Sequence, residues 1–150
     1  MKWVSALFVL ATLVVAKAND PIWIHFSKDE TVYALAVEGN LIWASTNKGL
    51  VRIAKDTKEK VYFRFNDYGW PDVPVKAIAI NKKDKWFATY GNGLLRYDNT
   101  KWEVYNTKTS QIPSDSVYSV SVDEFGNVWL GTEKGMAIYR EGGVVLKFKK

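Results

Sequence analysis

Val117-Tyr-Ser-Val-Ser-Val-Asp-Glu-Phe-Gly-Asn-Val-Trp129-Leu-Gly-Thr132-Glu-Lys-Gly-Met-Ala-Ile-Tyr139 decides how this chain is read. Apolar and small residues alternate, then Asp-Glu-Phe-Gly-Asn and Glu-Lys-Gly interrupt them. That is the pattern of three short strands joined by two tight turns. The plan occurs twice more, upstream. Trp43, Trp86 and Trp129 mark it at a constant spacing of 43 residues. A fixed period of this size signals a repeat architecture.

Working outward, each repeat predicts four strands. The first repeat gives Val32 to Val37, Leu41 to Thr46, Leu50 to Ile53 and Val61 to Phe65. The second gives Val75 to Ile80, Lys85 to Thr89, Leu94 to Tyr97 and Trp102 to Tyr105. The third adds Val144 to Phe148 after Glu141-Gly-Gly. Pro21 to Phe26 is one further short strand before the first repeat. The only long apolar run is at the N-terminus, and no segment sustains a 3.6-residue period.

First strands carry small residues at alternate positions: Ala34 and Ala36, Ala77 and Ala79, Ser119 and Ser121. That suits an inner strand crowded by its neighbours. Fourth strands carry bulky aromatics and charges, which suits an outer edge. The Trp of each second strand is expected to pack between neighbouring repeats. Thr46, Thr89 and Thr132 follow it by three residues, placed to bond the backbone of the next turn.

The N-terminus reads differently. Lys2 is followed by an apolar run from Trp3 to Ala16, and Ala16-Lys17-Ala18 fits a small-x-small cleavage site. Residues 1–18 are expected to be a secretory signal peptide, removed after Ala18. The run is short for a membrane span, which wants about 20 apolar residues. Asn19 to Lys150 is then one domain, secreted or periplasmic, with no membrane insertion after cleavage. The chain has no cysteine, so burial rather than disulfides must stabilise it. Supply for burial is good, with 7 Trp, 8 Tyr and 7 Phe. The formal net charge of +5 comes mostly from lysines interspersed with acids, which argues against a nucleic-acid partner.

The third repeat, Asp123-x-x-Gly-Asn-x-Trp129-x-Gly-Thr132-x-x-Gly135, resembles the two-component regulator propeller repeat. Ser110-Gln-Ile-Pro-Ser-Asp-Ser-Val117 resembles that family's spacer before the inner strand. Repeat one departs from the pattern with Glu38-Gly-Asn in its first turn, and repeat two with Asn81-Lys-Lys-Asp. The resemblance implies an all-β fold of three four-stranded antiparallel propeller blades, at about residues 31–66, 74–106 and 116–149, plus the N-terminal strand. It also implies a bacterial sensor or binding module that recognises a small extracellular ligand such as a glycan fragment, or a partner protein, without a kinase in this chain. Three blades fall short of the roughly four that close a ring. The expectation is therefore an incomplete propeller, or half of a homodimer whose six blades complete a ring.

Candidate ligand residues cluster in loops expected on one face. They are Tyr68, Trp70 and Asp72 in the loop Asn66 to Pro74, Tyr90 and Asn92 in the second repeat, and Asp115 in the spacer. Aromatic rings beside polar groups suit sugars, whose ring faces are apolar and whose edges are hydroxyls. The plainer alternative is that Trp70 tucks onto a blade. No catalytic set, cofactor or metal site is expected. His25 is the only histidine, so neither a multi-histidine metal site nor a His-based triad can be assembled from the sequence. Asp123-Glu-Phe-Gly-Asn lacks the oxygen spacing of a calcium loop and reads as a turn. A propeller lyase or hydrolase resembling streptogramin lyase is the enzymatic alternative, and a structural cell-surface propeller is the third.

Overall fold

The structure, a computed structural model, describes residues 25–26, 30–82 and 84–142. The expected signal peptide, most of the N-terminal strand and the expected strand Val144 to Phe148 lie outside the described residues. The fold is all-β, and the described residues include one turn of 3-10 helix (Phe65–Tyr68). Blade 1 holds β1 (Val32–Glu38), β2 (Leu41–Thr46), β3 (Gly49–Ala54) and β4 (Lys60–Phe63). Blade 2 holds β5 (Val75–Asn81), β6 (Asp84–Thr89), β7 (Leu94–Tyr97) and β8 (Trp102–Tyr105). The described part of blade 3 holds β9 (Val117–Val122), β10 (Val128–Thr132) and β11 (Gly135–Tyr139). Each is an antiparallel meander in sequence order, as short hairpin connections dictate.

The first strands β1, β5 and β9 lie side by side, so they form the inner edge. β4 and β8 are the far edges of their sheets. The small residues of the first strands let the blades approach there. The three threonines act alike. The Thr46 hydroxyl donates to the Gly49 carbonyl (3.2 Å) and accepts from the Lys48 amide (3.0 Å). The Thr89 hydroxyl donates to Gly93 (2.7 Å) and accepts from the Asn92 amide (3.1 Å). The Thr132 hydroxyl donates to Gly135 (2.7 Å) and accepts from the Lys134 amide (3.2 Å). Glycine ends two of these turns for a steric reason. Gly93 has φ +72°, and a Cβ there would stand 2.1 Å from the Tyr105 carbonyl oxygen on the outer strand.

The core lies between blades. Trp43, Leu50, Phe63 and Phe65 from blade 1 and its following loop meet Val75, Phe87 and Leu95 of blade 2. Trp86, Ala88 and Leu94 of blade 2 meet Val117, Val128 and Leu130 of blade 3. Burial of each large side chain contributes about 1.5–3 kcal/mol. The first junction also holds a charge. Lys85 on β6 is fully buried and pairs with Glu38 at 2.6 Å, while its ammonium donates to Asn99 at 2.6 Å. Glu38 in turn accepts the indole N–H of Trp43 at 2.9 Å. Trp43, the Glu38 carboxylate and the Lys85 ammonium thus tie blade 1 to blade 2.

Candidate functional site

The inner strands bring a set of side chains to one mouth of the blade array. Each inner strand carries a register irregularity at its start, between Val32 and Ala34, between Val75 and Ala77, and opposite the step from Gly131 to Thr132. The residues at these bulges are Tyr33, Lys76 and Tyr118. A bulge re-aims the extra side chain out of the pleat. Here it places one residue per blade at the same position of the repeat. Tyr90, from the β6–β7 turn, joins them.

The four side chains form a continuous line. The Lys76 ammonium stands 3.8 Å above the centre of the Tyr33 ring and 5.9 Å from that of Tyr90. Tyr90 and Tyr118 have ring centres 5.9 Å apart, tilted by 37°. All three tyrosines remain close to half-exposed. Partial desolvation, then the Glu133 carboxylate, raise the Tyr118 hydroxyl above its usual range. The line offers three aromatic faces, phenolic hydroxyls and one cation. Such a surface stacks on an apolar ring face and holds a negative or hydroxyl-rich edge.

The sequence-predicted residues fall into two groups. Tyr90, Asn92 and Asp115 sit at the mouth. Asp115 accepts from the Thr107 amide (2.7 Å) and hydroxyl (3.0 Å), and its backbone carbonyl accepts from the amides of Gly91 (2.9 Å) and Gly93 (2.8 Å). It therefore shapes the loop that carries Tyr90. Asn92 is buried and its side-chain nitrogen has no partner among the described residues. Tyr68, Trp70 and Asp72 sit in the blade 1–blade 2 loop, which leans on the outer strand of blade 2. Tyr68 stacks on Trp70 (5.8 Å, 28°), and both contact Trp102 on β8, at 5.7 and 6.4 Å. Trp70 packs onto the first core. The Asp72 carboxylate accepts the amides of Phe65 (2.8 Å) and Asn66 (3.2 Å), which fixes the loop.

Sequence reasoning missed Tyr33, Lys76 and Tyr118. A signal was present: each inner strand begins Val-x-small, and x is Tyr, Lys and Tyr at equivalent places. His25 lies on the open side of blade 1 with Phe26, not at the mouth. Asp123 is the hub of its turn. It accepts the amides of Phe125 (3.0 Å) and Asn127 (2.9 Å), the Asn127 side chain (2.7 Å) and the Trp129 indole (3.0 Å). Among the described residues, no group of three His, Cys, Asp or Glu is placed to hold a metal ion. No helix among them is long and apolar enough to cross a membrane.

Comparison with known proteins agrees with this architecture. Residues 111–134 match the family described as two component regulator propeller. The match covers the spacer and the first two strands of the third repeat, β9 and β10. No curated protein matches the chain. Among solved structures, the chain is similar to the extracellular domain of BT4673, a candidate hybrid two-component system of B. thetaiotaomicron. Identity is 20%, the TM-score is 0.63, and the match covers 83% of this chain and 17% of that one. The extracellular domain of BT3049 from the same organism matches at 24% identity and TM-score 0.58, over 77% of this chain and 15% of that one. PorZ, a surface component of the type-IX secretion system of Porphyromonas gingivalis, matches at 23% identity and TM-score 0.58, over 71% and 17%. These likenesses establish the fold. The chain spans only 15–17% of the length of those structures.

Proposed function

We propose that this chain is a non-catalytic recognition module of an exported protein, and that its ligand is a glycan fragment held at the axial mouth. The observation that carries this reading is the line Tyr33–Lys76–Tyr90–Tyr118. Aromatic faces bind the apolar faces of sugar rings, and hydroxyls and an ammonium bind their polar edges. The cation favours a sugar that bears a carboxylate. The matched family and the extracellular domains of the two-component systems support a sensing role outside the cytoplasm.

The test is a glycan array that includes uronate-bearing oligosaccharides, followed by titration calorimetry on the retained sugar. Tyr90→Ala and Lys76→Ala should each weaken binding by roughly tenfold or more. Tyr68→Ala should leave it within about twofold, because that ring belongs to the loop packed on Trp102. Unchanged titrations for the mouth variants, or an array with no retained sugar, would defeat the reading. Loss only in the Tyr68 and Trp70 variants would move the site to the outer loop.

A further inference from the structure

We infer that the mouth reads two opposite charges on its ligand, with Glu133 as the second determinant: the sugar turns a carboxylate toward Lys76 and a free amine toward Glu133. This rests on the ligand reading of the line Tyr33–Lys76–Tyr90–Tyr118 and narrows it. The residues concerned lie where blades 2 and 3 meet. Lys76 is on β5 and Tyr90 in the turn after β6, while Tyr118 is on β9 and Glu133 in the turn after β10. β5 and β9 are neighbours, and an isolated bridge joins Tyr90 to Ser116. The arrangement is therefore internal to these two blades.

Three contacts fix Glu133 beside Tyr118. Thr132 pairs with Val117, the residue before Tyr118. The Glu133 amide donates to the Ser116 carbonyl at 3.0 Å. Its carboxylate accepts the Ser114 hydroxyl at 3.4 Å. Ser114 is buried, and its hydroxyl accepts the Ser116 amide at 3.1 Å, so the group that holds the carboxylate is itself held. The contact turns Glu133 toward the spacer between blades 2 and 3. Desolvation, and then the charge of Glu133, raise the Tyr118 hydroxyl, which puts the carboxylate within electrostatic reach of that ring.

Neither charge is neutralised by a neighbour. Among the described residues, Lys76 and Glu133 form no ion pair with each other or with another group, the adjacent Lys134 included. The Lys76 ammonium is held over Tyr33 instead, at 3.8 Å. Tyr90 and Tyr118 separate the two charges, in steps of 5.9 Å from Lys76 to Tyr90 and 5.9 Å from Tyr90 to Tyr118. Each step is comparable to the length of one pyranose ring, so a disaccharide stacked on the two tyrosines brings one end to each charge. Both rings are nearly half-exposed, and their faces attract an ammonium as well as an apolar ring. A carboxylate beside such a ring favours an amine and repels a second carboxylate. A sugar that is acidic along its whole length fits only the Lys76 end.

The probes are a glucuronate–glucosamine disaccharide with a free amine, its N-acetyl form, and a diglucuronate. Each is titrated by calorimetry in mildly acidic buffer, where the amine is protonated. The wild-type chain should bind the free-amine form roughly threefold to tenfold more tightly than the N-acetyl form, the range of an ion pair reinforced by an aromatic face. Glu133→Gln keeps an acceptor for Ser114. It should erase that preference and leave the N-acetyl form within about twofold. Glu133→Lys should reverse the order, so that diglucuronate becomes the best of the three. Lys76→Met should weaken all three. Glu133 is exposed, so circular dichroism should be the same for both of its variants. If the wild type binds the two glucosamine forms alike, or Glu133→Gln retains the preference, the inference is overturned while the mouth reading stands. If the wild type binds none of the three, the inference falls, and the glycan array decides the mouth reading by itself.

Discussion

The junction between blades 1 and 2 and the open face of blade 3 are built from the same repeat, yet they differ in burial and in the charge that crosses to the next blade. In the first, Trp43 is enclosed by Phe63 at 5.4 Å, Phe87 at 5.6 Å and Tyr97 at 6.0 Å. Arg52 lies 5.7 Å over its ring. Its indole N–H goes to Glu38, and Glu38 goes on to Lys85 in the next blade. In the second, Trp129 keeps the indole bond, now to Asp123, and Asp123 holds Asn127, which accepts from Arg140, so among the described residues this chain of contacts stays within blade 3. A propeller blade is thus half a structure. Its strand ladders lie within the repeat, and its burial is completed by the neighbour. The local devices, namely the threonine hairpin and the acid–indole bond, survive where the neighbour is missing. The burial does not.

The largest way to break the closed junction is to empty it. Phe87→Ala removes a fully buried ring in contact with Trp43 and Trp102. It should cost about 3–5 kcal/mol. Urea unfolding followed by tryptophan fluorescence reads this directly. A cost near 1 kcal/mol would mean that blades 1 and 2 collapse onto the gap, and that the aromatic packing is less decisive than its geometry suggests.

A second change leaves the packing and removes the charge partner. Glu38→Leu removes the carboxylate that pairs with the Lys85 ammonium in the junction and takes away the acceptor of the Trp43 indole. Removing one member of a buried pair is costly because the other charge stays behind. Glu38 is itself partly exposed, so water offsets some of the loss, and about 2–3 kcal/mol is expected. The double variant Glu38→Leu with Lys85→Met should recover most of that. If the double variant is no more stable than the single one, the pair is not what ties the blades.

The strand plan was legible in the sequence because it is local. Val-x-small inner strands, a tryptophan every 43 residues and a threonine before each second turn need no partner to be recognised. The aromatic loop carrying Tyr68 and Trp70 was also legible as an unusual stretch, but its lean onto Trp102 depends on a strand of the following blade. The mouth was only half legible. Tyr90 lies in a visible turn, whereas Tyr33, Lys76 and Tyr118 depend on bulges that simple alternation conceals. Lys85 was not legible at all. Beside Lys82, Lys83 and Asp84 it reads as one more surface charge, and only the fold brings Glu38 to it.

The smallest effect sharpens the open side of the comparison. Hydrogen bonds from the Asn127 side chain and the Trp129 indole, with backbone amides, hold the Asp123 carboxyl down at about 2, from an ordinary value of 3.8. A depressed carboxyl contributes stability that is fully present above its unfolded value and is lost as pH falls through its folded one. The turn of blade 3 should therefore hold down to about pH 4 and loosen between there and pH 2. The Trp129 indole proton resonance should follow the same titration, with a midpoint near 2. In Asp123→Asn that titration should vanish. A wild-type midpoint near 3.8 would show that the turn does not grip the carboxylate. Trp129 would then owe its orientation to the sheet alone, without the acid that Trp43 shares with Lys85.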